Sequence, residues 1–153
     1  MNNITSSDTR VGAMTAQSIS KVAQIEAMSK QMPQETIHTQ HVLHGGMYTR
    51  TILIRAGVML TGVLIKCPTT LVICGDVSVY VGDSTNHIVG YTTLAASANR
   101  KQAFLAHRDT YLTMAFATSA TTIEQAEAEF TDDTDSLMSR KPDAINHITI
   151  TGE

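Results

Sequence analysis

Three histidines, His38, His41 and His44, recur at three-residue spacing in "HTQHVLHGG". On a helix they would share a face and offer their imidazoles to one metal ion; along an extended strand they would not converge. Gly45-Gly46 marks a turn straight after them. The favoured reading is therefore a polar edge strand or subunit-contact strand, with a His38/His41/His44 metal site as the alternative. His107, in "AHRDT", reads as a hydrogen-bonded histidine of a β structure rather than a ligand or general base. Arg100, Lys101 and Arg108 could join His107 in a small anion-binding cluster, although a solvated turn is the plainer reading of these charges. A triad of a serine, His107 and Asp109 can be written down, but no Gly-x-Ser-x-Gly elbow frames it. "GDVSVYVGD" lacks the glycine spacing of a phosphate loop or a dinucleotide fingerprint. No catalytic residue and no cofactor is expected.

These side chains depend on three zones of different periodicity. From Ser18 to Met32, apolar residues at Ile19, Val22, Ile25, Met28 and Met32 mark one face of a helix. Ser18 or Ser20 is the expected cap, Pro33 the stop, and Thr15 part of a polar extended arm. From His38 to about Ala117, short runs rich in Val, Ile, Thr and Tyr alternate with turn signals, among them Gly75-Asp76 and Gly82-Asp83. That rhythm predicts a β-sandwich or barrel. "TTIEQAEAEF" then predicts a second helix, capped by Thr121 or Thr122, whose Ile123, Ala126 and Phe130 face the barrel. "AINHITITGE" alternates at Ile148 and Ile150 and predicts a short strand that must find a sheet edge, on its own chain or a neighbour's.

The 153 residues, 42% apolar and 16% charged, suit one globular domain: an arm and helix (1–37), a barrel (38–120), and a helix with a terminal strand (121–153). A formal charge of −3 gives no field to attract nucleic acid or an anionic membrane. Neither a signal peptide nor a long apolar run is evident, which predicts a soluble intracellular product. Cys67 and Cys74 read as buried reduced thiols, a bridge between them being the alternative.

Ala56-Gly57, Thr61-Gly62, Gly75-Asp76 and Ala106-His107-Arg108-Asp109-Thr110 together resemble the cupin superfamily, and within it small cupin-like proteins of tailed bacteriophages. The resemblance covers about half the chain and neither helix. It implies a mainly β fold, a cupin-like barrel of jelly-roll or sandwich type. It also implies a metal set of two histidines and a glutamate in a first motif, with a third histidine in a second. Here those places hold Val63, Ile65 and Thr69 or Thr70, and only His107 remains, so no bound transition metal is expected.

A polar arm, an amphipathic helix and an isolated strand suit a protein that engages neighbours. The expectation is therefore a non-enzymatic, virion-associated phage structural protein, found in the host cytoplasm before assembly. Its partners would be further copies of itself and other phage structural proteins, without nucleic acid or membrane. The alternative is a phage small-molecule-binding module, for instance one sequestering a host signal, with a metal-dependent cupin enzyme behind it.

Overall fold

The computed structural model describes residues 9–153; the first eight residues of the polar arm lie outside that range. The strands are β1 (Arg10–Val11), β2 (His38–His44), β3 (Met47–Ile54), β4 (Met59–Thr61), β5 (Thr69–Tyr80), β6 (Thr85–Ala96), β7 (Ala103–Ala106), β8 (Thr110–Ala117) and β9 (Ile145–Ile150). Helix α1 (Ala16–Ser29) precedes β2. Between β8 and β9 run helix α2 (Ile123–Phe130) and two 3-10 turns, Thr134–Ser136 and Met138–Arg140. The chain is mainly β with a helix at either end of the strand-rich zone, as the periodicities predict.

One sheet runs in the order β1-β6-β5-β8-β3-β2-β9, while β7 pairs with both β4 and β5 off that path. Neighbours are antiparallel except at the two edges, where β1 joins β6 and β9 joins β2 in parallel. Period-2 alternation decides which side of each strand is buried. On β5, Leu71, Ile73, Val77 and Val79 turn inward to meet Ile54, Leu94, Phe104 and Ala106. A second cluster, built on Tyr48, Phe116 and Phe130, seats α2 through Ile123, Ala126 and Phe130, the face anticipated for it. Thr122 caps α2 by accepting from Gln125 N–H.

Several local expectations are corrected. Helix α1 starts and stops earlier than its apolar stripe suggests: Thr15, not Ser18 or Ser20, caps it, and regular turns end at Ser29, before Pro33. Ser18 is instead buried where α1 meets the sheet, because Gly82 approaches it so closely that a Cβ there would lie 2.6 Å from Ser18 Cα. Gly75-Asp76 is no turn but the middle of β5, with Gly75 opposite Gly90 on β6. The two thiols are free, and Cys74 is exposed on the outer face between Tyr91 and Tyr111 in register. Strand β9 finds its edge on its own chain, pairing with β2 from His38–Ile145 to Leu43–Ile150. No helix among the described residues is long and apolar enough to cross a membrane.

A buried polar network ties α2, the 3-10 turns and β9 to the sheet. Glu127 accepts from Arg50 Nη1 at 3.0 Å, from Ser139 Oγ at 3.2 Å, and from Arg140 Nε and Nη2 at 3.1 and 2.9 Å. Tyr48 Oη lies 2.7 Å from His41 Nδ1, and His41 Nε2 lies 2.7 Å from Asn146 Oδ1. Because Asn146 Nδ2 donates to Ser139 O, its oxygen faces the ring; His41 Nε2 therefore carries the proton and Nδ1 accepts from the tyrosine. Burial is the main cause that lowers the His41 pKa below 6.5, with Arg50 acting in the same direction. Between that lowered value and 6.5 the unfolded chain binds the proton and the folded chain does not. The contribution to stability is thus complete above about pH 6.5 and is lost as pH falls below it. Urea unfolding at pH 7.5 and 5.5 should show that loss, and His41→Gln should reduce it; an identical pH dependence in the variant would remove His41 as its source.

Candidate functional site

A cavity of about 120 Å³, partly open to solvent, is lined by Ile52, Leu71, Phe104, Leu112 and Met114 from the strands and by Phe130, Leu137 and Met138 from the C-terminal segment. A single water occupies roughly 10–15 Å³ by such a measure, so a ligand of several non-hydrogen atoms fits. The wall is mostly apolar, as small-molecule sites are, with Arg50, Arg100 and Gln102 as its large polar members.

The sequence reads Arg100 as part of a solvated turn, with an anion-binding cluster as the alternative, but it is only 2% exposed. An antiparallel bridge between Ile65 and Arg100 carries the chain across the barrel at this point and turns the guanidinium inward. Nη1 donates to Ser97 O and Nη2 to Thr69 Oγ1, each at 2.7 Å. Nε is buried without a hydrogen-bond partner. Among the described residues Arg100 makes no salt bridge to a carboxylate, whereas the other arginine of the wall, Arg50, is paired with Glu127. Burial pulls the Arg100 pKa down to about 10, which still leaves it charged at neutral pH. Nearby Cys67 gives no counter-charge, since burial raises its thiol pKa.

The other members of the anticipated anion cluster are elsewhere. Lys101 is buried beneath α1, donating to Glu26 Oε2 at 3.0 Å and Gly62 O at 2.8 Å. His107 and Arg108 project from the outer face after β7, with His107 Nε2 2.7 Å from Ser78 Oγ. His107 is thus hydrogen-bonded to a strand residue, as its reading has it, but on the exposed outer face rather than inside the barrel. Beside it lies a residue that the motifs did not single out. His87, on β6, donates from Nε2 to Asp76 Oδ1 at 2.6 Å, and its ring packs edge-on to His107 with centroids 5.3 Å apart. That hydrogen bond is the main cause holding the Asp76 carboxyl below its usual range. Arg108 Nε stands 3.8 Å from Asp76 Oδ2.

His38, His41 and His44 do not converge. They fall in β2, where successive side chains alternate, so His41 is buried in the polar network while exposed His44 lies beside Thr151 and Glu153. The extended conformation excludes the three-histidine site considered from their spacing.

No protein-family model matches the sequence, and no curated protein matches it. Solved structures do resemble it. Ectoine synthase from P. lautus is 22% identical over 65% of this chain and 76% of that one, with a TM-score of 0.49. A cupin_2 domain of an XRE-family transcriptional regulator from Enterobacter cloacae is 8% identical over 56% of this chain and 100% of its own (TM-score 0.44). A cupin superfamily protein from Desulfitobacterium hafniense is 8% identical over 60% and 88% (TM-score 0.45). The latter two are described as cupins. At these identities and TM-scores the likeness transfers no activity. The transition metal that a cupin resemblance implies finds no donor set at the positions matching its motif. Val63 and Ile65 line the cavity, Thr69 is committed to Arg100, and Thr70 is exposed. Among the described residues lining the cavity there is no histidine, cysteine or carboxylate. Guanidinium, amide, hydroxyl and thioether groups do not fit a cupin-type transition ion inside this barrel.

Proposed function

We propose that the chain is a non-enzymatic binding protein whose barrel takes a small, largely apolar ligand bearing one carboxylate. Arg100 carries this reading: a buried cation inside an apolar cavity, with an unpartnered Nε–H and no carboxylate in ion-pair contact among the described residues. An isolated buried charge is costly, and an anionic ligand would offset that cost while the apolar wall receives the rest of the molecule. A panel of short-chain carboxylates and their matched amides tests the reading by thermal unfolding. A ligand at a hundredfold excess over its Kd stabilises by ~2.7 kcal/mol, or about 5–10 °C for a chain of this size. Carboxylates should raise Tm and amides should not, and Arg100→Met should fold yet lose the discrimination. Equal shifts for both classes, or none across the panel, would reject the reading.

A second reading is a self-assembling structural protein of a phage virion, of which the sheet edge supports the self-assembly alone. Strand β9 ends the sheet with Ile145, Ile148 and Ile150 at 41%, 56% and 49% exposure. An apolar edge strand of this kind is a template for pairing with a neighbouring chain. Removal of residues 142–153 should then lower the solution mass by dissociating an oligomer. An unchanged oligomeric state would leave the edge without that role.

A further inference from the structure

The outer face of the barrel presents a different chemistry from its interior. Asp76 and Ser78 project from the same side of β5, since Val77 and Val79 between and beyond them are buried. The β5–β6 register sets His87 directly opposite Ser78, and the tight connection from β7 to β8 brings His107 over the same spot. One ligand atom from each of Asp76, His87 and His107 lies within 4.8 Å of the others.

We propose that Asp76, His87 and His107 form a binding site for one divalent first-row transition ion, such as Zn²⁺ or Ni²⁺. Two neutral imidazoles and one carboxylate are a donor set suited to such ions, and three protein ligands leave a position for water. Bonds of ~2.0–2.2 Å set ligand atoms about 3.3–3.6 Å apart, so His87 Nε2 and Asp76 Oδ1, now 2.6 Å apart, must part slightly and any wider pair must close, which side-chain rotation at a surface accommodates. His87 has a 57% exposed side chain, so solvent leaves its ring room to turn once the hydrogen bond to Asp76 is exchanged for the ion. The ion takes the place of the proton that His87 Nε2 now shares with Asp76; in a neutral ring that proton moves by way of solvent to Nδ1, so the ligating imidazole stays neutral. Ser78, 2.7 Å from His107 Nε2, is the kind of neighbouring partner that orients a ligating ring. Arg108 opposes binding, because its guanidinium competes for Asp76. The inference runs against the expectation, drawn from His107 as the sole surviving histidine of a motif, that the chain holds no transition ion. It is also independent of the cavity, which lies on the other side of the sheet.

Calorimetric titration of the untagged full chain with ZnCl₂ and NiCl₂ tests the site. One ion per chain is expected, with Asp76→Asn, His87→Ala and His107→Ala each weakening binding more than ~10-fold. His44→Ala and His147→Ala, at exposed histidines elsewhere, should leave it unchanged, and Arg108→Gln should strengthen it. Thermal melts establish that each variant is folded, and the parent's Tm should rise with zinc while that of His87→Ala should not. No binding up to millimolar metal, or binding undiminished in folded His87→Ala, would overturn the proposal.

Discussion

Glu127→Ala is expected to destabilise the protein by about 3–5 kcal/mol, a fall in Tm of roughly 6–20 °C. The carboxylate is 3% exposed and accepts from Arg50, Ser139 and Arg140. Its removal leaves Arg50, whose side chain is 10% exposed, as a buried cation without its counter-ion. Arg50 also donates to Ser139 Oγ and reaches Tyr48 Oη, so the disturbance spreads toward His41 and Asn146. Because those residues hold β9 and the 3-10 turns, the variant should become susceptible to proteolysis near residue 140 before it unfolds globally. Replacing Arg50 and Glu127 together with Met and Leu should recover much of the loss, since neither charge is then stranded. A loss below 1 kcal/mol for Glu127→Ala would show that the network contributes no more than a surface pair does.

Gly75→Ala should cost ~2–5 kcal/mol, from backbone conformation and overpacking together. Gly75 has φ +154°, and a Cβ on it would stand 2.4 Å from Thr110 Oγ1 and 2.7 Å from Thr110 Cα. A side-chain rotation could relieve the first contact but not the second, which requires β5 and β8 to separate. The same Thr110 hydroxyl receives Asp76 N–H at 3.1 Å and donates to Arg108 O at 2.9 Å. The damage therefore reaches the Asp76 carboxylate as well as the barrel wall. Equilibrium unfolding reads the first effect and zinc titration the second. A variant as stable as the parent would show that the strands separate at little cost.

Much of this architecture was legible because apolar alternation on β5 and β8 and the Thr122 cap are local signals. What was missed depended on partners distant in sequence. Arg100 and Lys101 are adjacent charges beside a turn, a pattern that ordinarily faces water; α1 closing over Lys101, and the barrel closing round Arg100, bury them. Gly75-Asp76 has the composition of a turn, and only its pairing with Gly90 reveals a continuous strand. His87 was legible in principle. A hairpin centred on the flagged Gly82-Asp83 turn places it opposite Ser78, one step along the same face from Asp76. Its company with His107 required the β5–β7 pairing, which no local periodicity encodes.

The parallel addition of β9 to β2 also has a consequence in time. Paired residues of the two strands lie 107 positions apart, as between His44 and Thr151. At synthesis rates of ~5–20 residues per second, β2 waits roughly 5–20 s for the strand that covers its edge. Until then its backbone donors and acceptors face the crowded surroundings of the ribosome, and pairing so distant also slows folding once the chain is made. The sheet's edge is thus most vulnerable to aggregation during its own translation, and a chaperone that shields β2 in that interval would raise the yield of folded protein without altering its final stability.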